Sequence, residues 1–289
     1  MMRFIPLAAL AASMTPAVPA AAQRVSVEAV EFPSRDGKTM IKGYVFKADN
    51  APAQSPAVVM MHGRAGAYSS LAKGKYDAAT LASRHRAWGR LLARSGYVAL
   101  MVDDFGPLGY PTGFRAGTYK DRPAEVNEVT YRPLHAYGAL RYLQQRADVA
   151  GTRTRVVLLG WSNGASATLA AMADDKPGDM RRIGFRVGIA LYPGCGLKRR
   201  FDKQGYRPYA PVRVFIGTAD EEVSPASCEK LVARSRDKGG DITLTSFKGA
   251  MHGYDTPTES RQSVAANAAA KAATESDVLA FLAKNLKDE

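Results

Sequence analysis

From Val25 onward, short runs of β-branched residues alternate with amphipathic stretches, a rhythm that admits few folds besides a sheet with helical crossovers. Strands are expected over 25–32, 40–46, 57–61, 97–102, 155–160, 187–192, 212–217 and 242–247. The first two read as an antiparallel pair. The central ones, "AVVMM" and "RVVLLG" among them, are nearly continuous apolar runs, as parallel strands covered on both faces must be. Helices are expected over 77–95, 124–145, 165–174, 226–238 and 264–286. The last is rich in alanine, yet Val278, Leu279, Phe281, Leu282 and Leu286 form an apolar stripe near helical spacing, the mark of a packed helix. The expected class is α/β, a mostly parallel sheet of about eight strands flanked by helices on both faces.

The first 22 residues stand apart. Met1-Met2-Arg3, an apolar stretch over 4–14, Pro16 and then Ala20-Ala21-Ala22 have the layout of a secretory signal peptide cleaved near Ala22. The apolar stretch is short of the ~20 residues that span a bilayer, and no later segment is longer. No cysteine follows it for lipid attachment and no Arg-Arg pair precedes it. The expectation is a periplasmic or secreted protein whose mature part, 23–289, is one domain without repeats or linkers.

Export changes how Cys195 and Cys228 are read, because thiols outside the cytosol tend to pair. A disulfide is expected, with two buried free thiols as the alternative. Two cysteines without CxxC spacing or clustered histidines supply too few ligands for a metal. The net charge of +13 is spread along the chain, with small clusters at Arg181-Arg182 and Lys198-Arg199-Arg200 and no nucleic-acid-binding motif around them. A solvated basic face is the simplest account; weak attraction to an anionic envelope surface is a second. Nothing in the sequence specifies an oligomeric state.

The segment "RVVLLGWSNGASATLAAM", residues 155–172, seats Ser162 between Gly160 and Gly164 where a strand gives way to a helix. Such a sharp turn pushes the hydroxyl out above the sheet, and the helix N-terminus behind it offers unpaired N–H groups to a developing oxyanion. A serine hydroxyl needs a base, and His252, in "FKGAMHGYD" past the last expected strand, is the only histidine after it. His85 and His135 fall within expected helices, and His62 sits beside "HGRAG". The acid that fixes the imidazole should lie between serine and histidine, and "VRVFIGTADEEVSP" ends a strand in Asp220, with Glu221 and Glu222 as fallbacks. A second oxyanion donor besides the Asn163 N–H is expected from the Arg64 N–H in "AVVMMHGRAG". A Cys195–Cys228 bond would tie the Asp220 loop to the neighbouring strand end. The long Gly-, Pro- and aromatic-rich stretch 103–123, "DDFGPLGYPTGFRAGTYKDRP", is expected to form a lid or pocket wall.

Taken in order, "MHGRAG", "VDDFGPLGY", "RPLHAYGALRYL", "GWSNGA", "YPGCG", "IGTADEEVSPASC" and "GAMHGYD" resemble the dienelactone hydrolase-like family of the α/β-hydrolase superfamily, over nearly the whole mature length. The resemblance implies the α/β-hydrolase fold, a Ser162, Asp220, His252 triad, and hydrolysis of a small-molecule ester or lactone without a cofactor. The family's namesakes carry cysteine in the elbow and glutamate after the histidine of the third-strand loop, where this chain has Ser162 and Gly63. His135 stands where relatives often have aspartate. The namesake substrate is therefore not expected. The same triad also serves a peptidase or amidase, or acyl transfer to an alcohol, and the same fold can serve a non-catalytic envelope ligand-binding protein.

Overall fold

A computed structural model describes residues 23–149 and 155–286; the expected leader, 1–22, lies outside the described residues. All eight expected strands form: β1 (Val25–Pro33), β2 (Met40–Ala48), β3 (Ala57–Met61), β4 (Val98–Asp103), β5 (Val156–Trp161), β6 (Gly188–Leu191), β7 (Val212–Gly217) and β8 (Ile242–Phe247). They make one sheet in the order β1-β2-β4-β3-β5-β6-β7-β8. β1 pairs antiparallel with β2 and β2 antiparallel with β4, and every other pairing is parallel. Each residue of β3, β4, β5 and β6 is buried, so both faces of the sheet centre are covered. Exposed strand positions are confined to the edge strands β1 and β8 and to Met40 at the start of β2.

The helices are α1 (Ser83–Arg94), α2 (Arg132–Gln144), α3 (Asn163–Met172), α4 (Met180–Ile183), α5 (Pro225–Asp237), α6 (Glu259–Gln262) and α7 (Ala265–Asn285). Two expected helices start later than their sequence suggests. The Asp77 carboxylate caps a separate 3-10 turn by accepting from the Ala79 and Thr80 amides, and α1 begins only at Ser83. Residues 124–126 likewise form a 3-10 turn, and α2 begins at Arg132 with Pro133 in its first turn, where a missing N–H costs no hydrogen bond. α4 and α6 are single short turns that periodicity cannot mark. Among the described residues no helix is long and apolar enough to cross a membrane.

The chain leaves β3 for β4 on one side and returns to β5 on the other. The loops after β3 and β5 therefore diverge at the C-terminal edge of the sheet, which opens the crevice where sheets of this kind bind ligands.

Candidate active site

β5 is apolar and buried through Trp161, and α3 begins at Asn163, so Ser162 alone makes the turn between them. It does so at φ 52° and ψ −116°, a conformation that strains a residue with a side chain by about 1–3 kcal/mol. The flanking glycines explain how the turn closes. A Cβ at position 164 would lie 2.1 Å from the Met61 carbonyl oxygen and 2.4 Å from that of His62, and one at 160 would lie 2.3 Å from the Gly164 carbonyl oxygen. The first turn of α3 is thus pressed against the end of β3, and the loop after β3 reaches the serine.

His252 and Asp220 converge on that serine from the loops after β8 and β7. His252 Nε2 is 3.0 Å from Ser162 Oγ, and Nδ1 is 2.8 Å and 3.1 Å from the two Asp220 carboxylate oxygens. A carboxylate can only accept, so Nδ1–H donates to Asp220 and Nε2 is left to accept from the Ser162 hydroxyl. Asp220 is itself held by the Glu222 and Val223 amides, each 2.9 Å from Oδ1. The two fallback acids stand elsewhere: Glu221 accepts from the His252 amide at 2.9 Å, and Glu222 approaches Nε2, the serine side of the ring, at 3.7 Å.

The two expected amide donors are close to the elbow. Asn163 is the first residue of α3, so its N–H has no acceptor within the helix. A Cβ on Gly63 would lie 3.4 Å from Ser162 Cβ, which places the Gly63–Arg64 peptide beside the serine. Among the described residues no backbone carbonyl accepts from the Arg64 N–H. The Arg64 side chain is already occupied: it grips Glu222 with two hydrogen bonds of 2.7 Å and 2.9 Å and also donates to the Phe114 carbonyl. That fork holds the Glu222 carboxyl below its ordinary pKa, with burial opposing.

Two buried carboxylates that sequence reasoning missed brace the elbow. Asp104, just past the end of β4, accepts two hydrogen bonds from Arg132 (2.9 Å and 3.1 Å) and contacts His62 Nε2 at 2.9 Å and His135 Nδ1 at 3.2 Å. Arg132 also donates to Asn163 Oδ1 at 2.6 Å and to the His62 carbonyl at 2.8 Å. Burial alone would raise the Asp104 pKa, but Arg132 and His62 outweigh it and hold the carboxyl well below the usual range. Asp255 accepts from Trp88 and Trp161 Nε1 (2.8 Å and 2.9 Å) and from the Tyr192 hydroxyl (2.6 Å), with Arg84 Nε at 3.1 Å. The Tyr192 ring in turn packs edge-to-face with the His252 imidazole, 4.7 Å between centroids. The sequence signal for both was a charged residue inside or beside an apolar element, "VDD" and "YRPLHAYG" for one and "HGYD" for the other.

Ser162, Asn163, Arg64 and Glu222 open onto a cavity of about 620 Å³. Residues 116, 117, 119 and 122 of the long stretch after β4 are among those that line it. The Cys195–Cys228 disulfide is formed, with 5.0 Å between the Cα atoms, and joins the loop after β6 to α5 directly behind the Asp220 loop.

The dienelactone hydrolase family model matches residues 41–286. Among solved structures, a dienelactone hydrolase-like promiscuous phosphotriesterase from metagenomic libraries superposes with a TM-score of 0.66 at 16% identity, covering 90% of this chain and 98% of that one. A Klebsiella pneumoniae protein assigned as a dienelactone hydrolase gives 0.63 at 15% identity over 90% and 99%. Esterase 2 of Thermogutta terrifontis, in its form phosphorylated by paraoxon, gives 0.59 at 18% identity over 93% and 95%. A search of curated protein sequences gave no match. At such identities the structural likeness speaks to the α/β-hydrolase fold, and the family match spans β2 to the end of α7; this chain belongs to the dienelactone hydrolase family.

Proposed function

We propose that the protein hydrolyses small carboxylic esters, lactones among them, through a Ser162–His252–Asp220 triad and an acyl-enzyme. The observation that carries this is the unbroken line of contacts from the Asp220 carboxylate through His252 to Ser162 Oγ, all within hydrogen-bond reach. His252 Nε2 takes the serine proton as Oγ attacks the acyl carbon, and Asp220 stabilises the imidazolium. The negative charge that develops on the carbonyl oxygen is met by the Arg64 and Asn163 N–H groups at the positive end of α3. Nε2–H then protonates the leaving alcohol, and water releases the acid.

The T. terrifontis relative, phosphorylated by paraoxon, supports an experiment on the same chemistry here. A fluorophosphonate probe should label this protein on Ser162 and fail to label Ser162→Ala, and a series of p-nitrophenyl esters and lactones should lose turnover with that variant. A folded wild-type protein that takes up no probe would refute the reading. Export to the periplasm or beyond belongs to the same proposal, supported by the leader-like residues 1–22 and by a disulfide, which persists in oxidising compartments. Fractionation of expressing cells tests it, with full-length protein in the cytosol as the contrary outcome.

A further inference from the structure

The acyl-enzyme poses a problem that the triad alone does not solve. Once Ser162 Oγ is esterified, His252 Nε2 has lost its hydroxyl partner and must find and orient a water. The cavity offers one more acceptor beside that nitrogen: the Glu222 carboxylate, with Oε2 at 3.7 Å from Nε2. Two acceptors at that separation subtend an angle of about 80° at an oxygen ~2.9 Å from each, near enough to the water angle for both O–H bonds to point at acceptors. Glu222 does not choose this place freely. The two hydrogen bonds from Arg64 Nε and Nη2, at 2.9 Å and 2.7 Å, fix the plane of its carboxylate, and Arg64 is steadied in turn by the Phe114 carbonyl at 3.1 Å.

We infer that Glu222, clamped by Arg64, holds the water that hydrolyses the acyl-enzyme and thereby selects water over alcohols; the inference rests on the triad reading above. The water donates one O–H to His252 Nε2 and the other to Glu222, which turns an oxygen lone pair toward the acyl carbon. The oxygen–carbon bond forms as the first proton passes to Nε2. The tetrahedral intermediate then collapses, the carbon–Oγ bond breaks, and the Nε2 proton returns to Ser162 Oγ, leaving the carboxylic acid. Glu222 keeps the second O–H throughout and is not itself protonated. An alcohol has a single O–H: if it donates to Nε2, its alkyl group is turned against the carboxylate.

The test uses p-nitrophenyl acetate in buffer with added methanol. Nitrophenol release reports acylation, and the methyl acetate to acetate ratio reports which nucleophile takes the acyl group. Glu222→Gln keeps the shape but removes the charge and one of the two acceptor oxygens that Arg64 and the water share. It should retain the nitrophenol burst, slow steady-state turnover about tenfold and raise the methanolysis ratio about tenfold. Arg64→Met, which keeps the backbone N–H but frees Glu222, should shift the ratio in the same direction, and thermal melts establish that both variants are folded. A wild-type burst with a product ratio unmoved in both variants overturns the role of Glu222 and leaves the triad standing. Absence of both burst and probe labelling in the wild type overturns the triad, and the inference with it.

Discussion

Replacing Arg132 by methionine should be among the most damaging single changes outside the proposed triad. The side chains of Arg132 and Asp104 are both fully buried, and the guanidinium spends four hydrogen bonds there, two on Asp104, one on the His62 carbonyl and one on Asn163 Oδ1. Methionine matches the stem and removes the charge, so a buried carboxylate loses its fixed partner; breaking such a pair costs about 3–5 kcal/mol. That is a large share of the ~5–15 kcal/mol by which a domain is stable. The cost lies in the stranded Asp104 charge, so Asp104→Asn in the Arg132→Met background should recover part of it, and the double variant should be more stable than Arg132→Met alone. Urea denaturation of wild type, the two single variants and the double variant measures this as a coupling energy. The comparison is Lys271→Met, which removes a partly exposed i,i+4 pair with Glu275 and should cost a few tenths of a kcal/mol. Esterase assays on the folded fraction should also show lower kcat, since Asn163 and the His62 carbonyl lose their anchor. If Arg132→Met is as mild as Lys271→Met, or the double variant is less stable than both singles, the bracing argument is wrong.

Gly164→Ala forces a Cβ within 2.1 Å of the Met61 carbonyl oxygen and should cost about 3 kcal/mol or more in thermal or urea unfolding, whereas Gly196→Ala, with nothing within 4 Å, should be nearly neutral. Reducing the Cys195–Cys228 bond reopens a 33-residue separation and should cost about 3–4 kcal/mol, read as a lower urea midpoint with dithiothreitol than without. Burial depresses the His85 pKa from 6.5 to about 3, so below pH 6.5 the unfolded chain takes up a proton that the folded chain refuses. Its contribution is lost as pH falls from 6.5 toward 3, at up to about 1.4 kcal/mol per pH unit, and a urea-stability profile of His85→Gln should be flatter across that window. Asp255→Asn should lower stability by about 3 kcal/mol, because one side of an amide cannot accept from donors that now face two carboxylate oxygens, and should reduce kcat by releasing Tyr192 from the His252 ring.

The strands were legible because burial on both faces writes itself as a continuous apolar run: the bounds expected for β3, β7 and β8 are the observed ones. The convergence of Ser162, Asp220 and His252 follows from the same fact, since each stands past the end of a strand and parallel strands bring their ends to one edge. The helix starts were less legible. Asp77 reads as a cap and is one, but of a 3-10 turn, and whether that turn continues into α1 depends on tertiary contacts rather than on propensity. The braces were illegible for a simpler reason. Arg132 lies 28 residues from Asp104, and Asp255 lies 94 residues from Trp161, so no local spacing pairs them. Each looks like a charged residue misplaced in an apolar context until the fold supplies its partners.

Those braces account for how a strained serine stays in place. Ser162 is held at a positive φ by its two neighbours rather than by its own side chain. Trp161 before it is bound by Asp255, and Asn163 after it is bound by Arg132, which is bound by Asp104. Asp255 sits three residues beyond His252 and also grips Tyr192, which has φ 42° and packs edge-to-face with the imidazole. One buried carboxylate therefore couples the residue before the serine to the loop of its base. The other couples the residue after the serine to the loop that carries the Arg64 amide. Strain at an active residue survives only where the surroundings over-determine it. Here the over-determination is ionic, buried and split between the two flanks, so that neither the Ser162–His252 contact nor the amide pair can relax without stranding a charge.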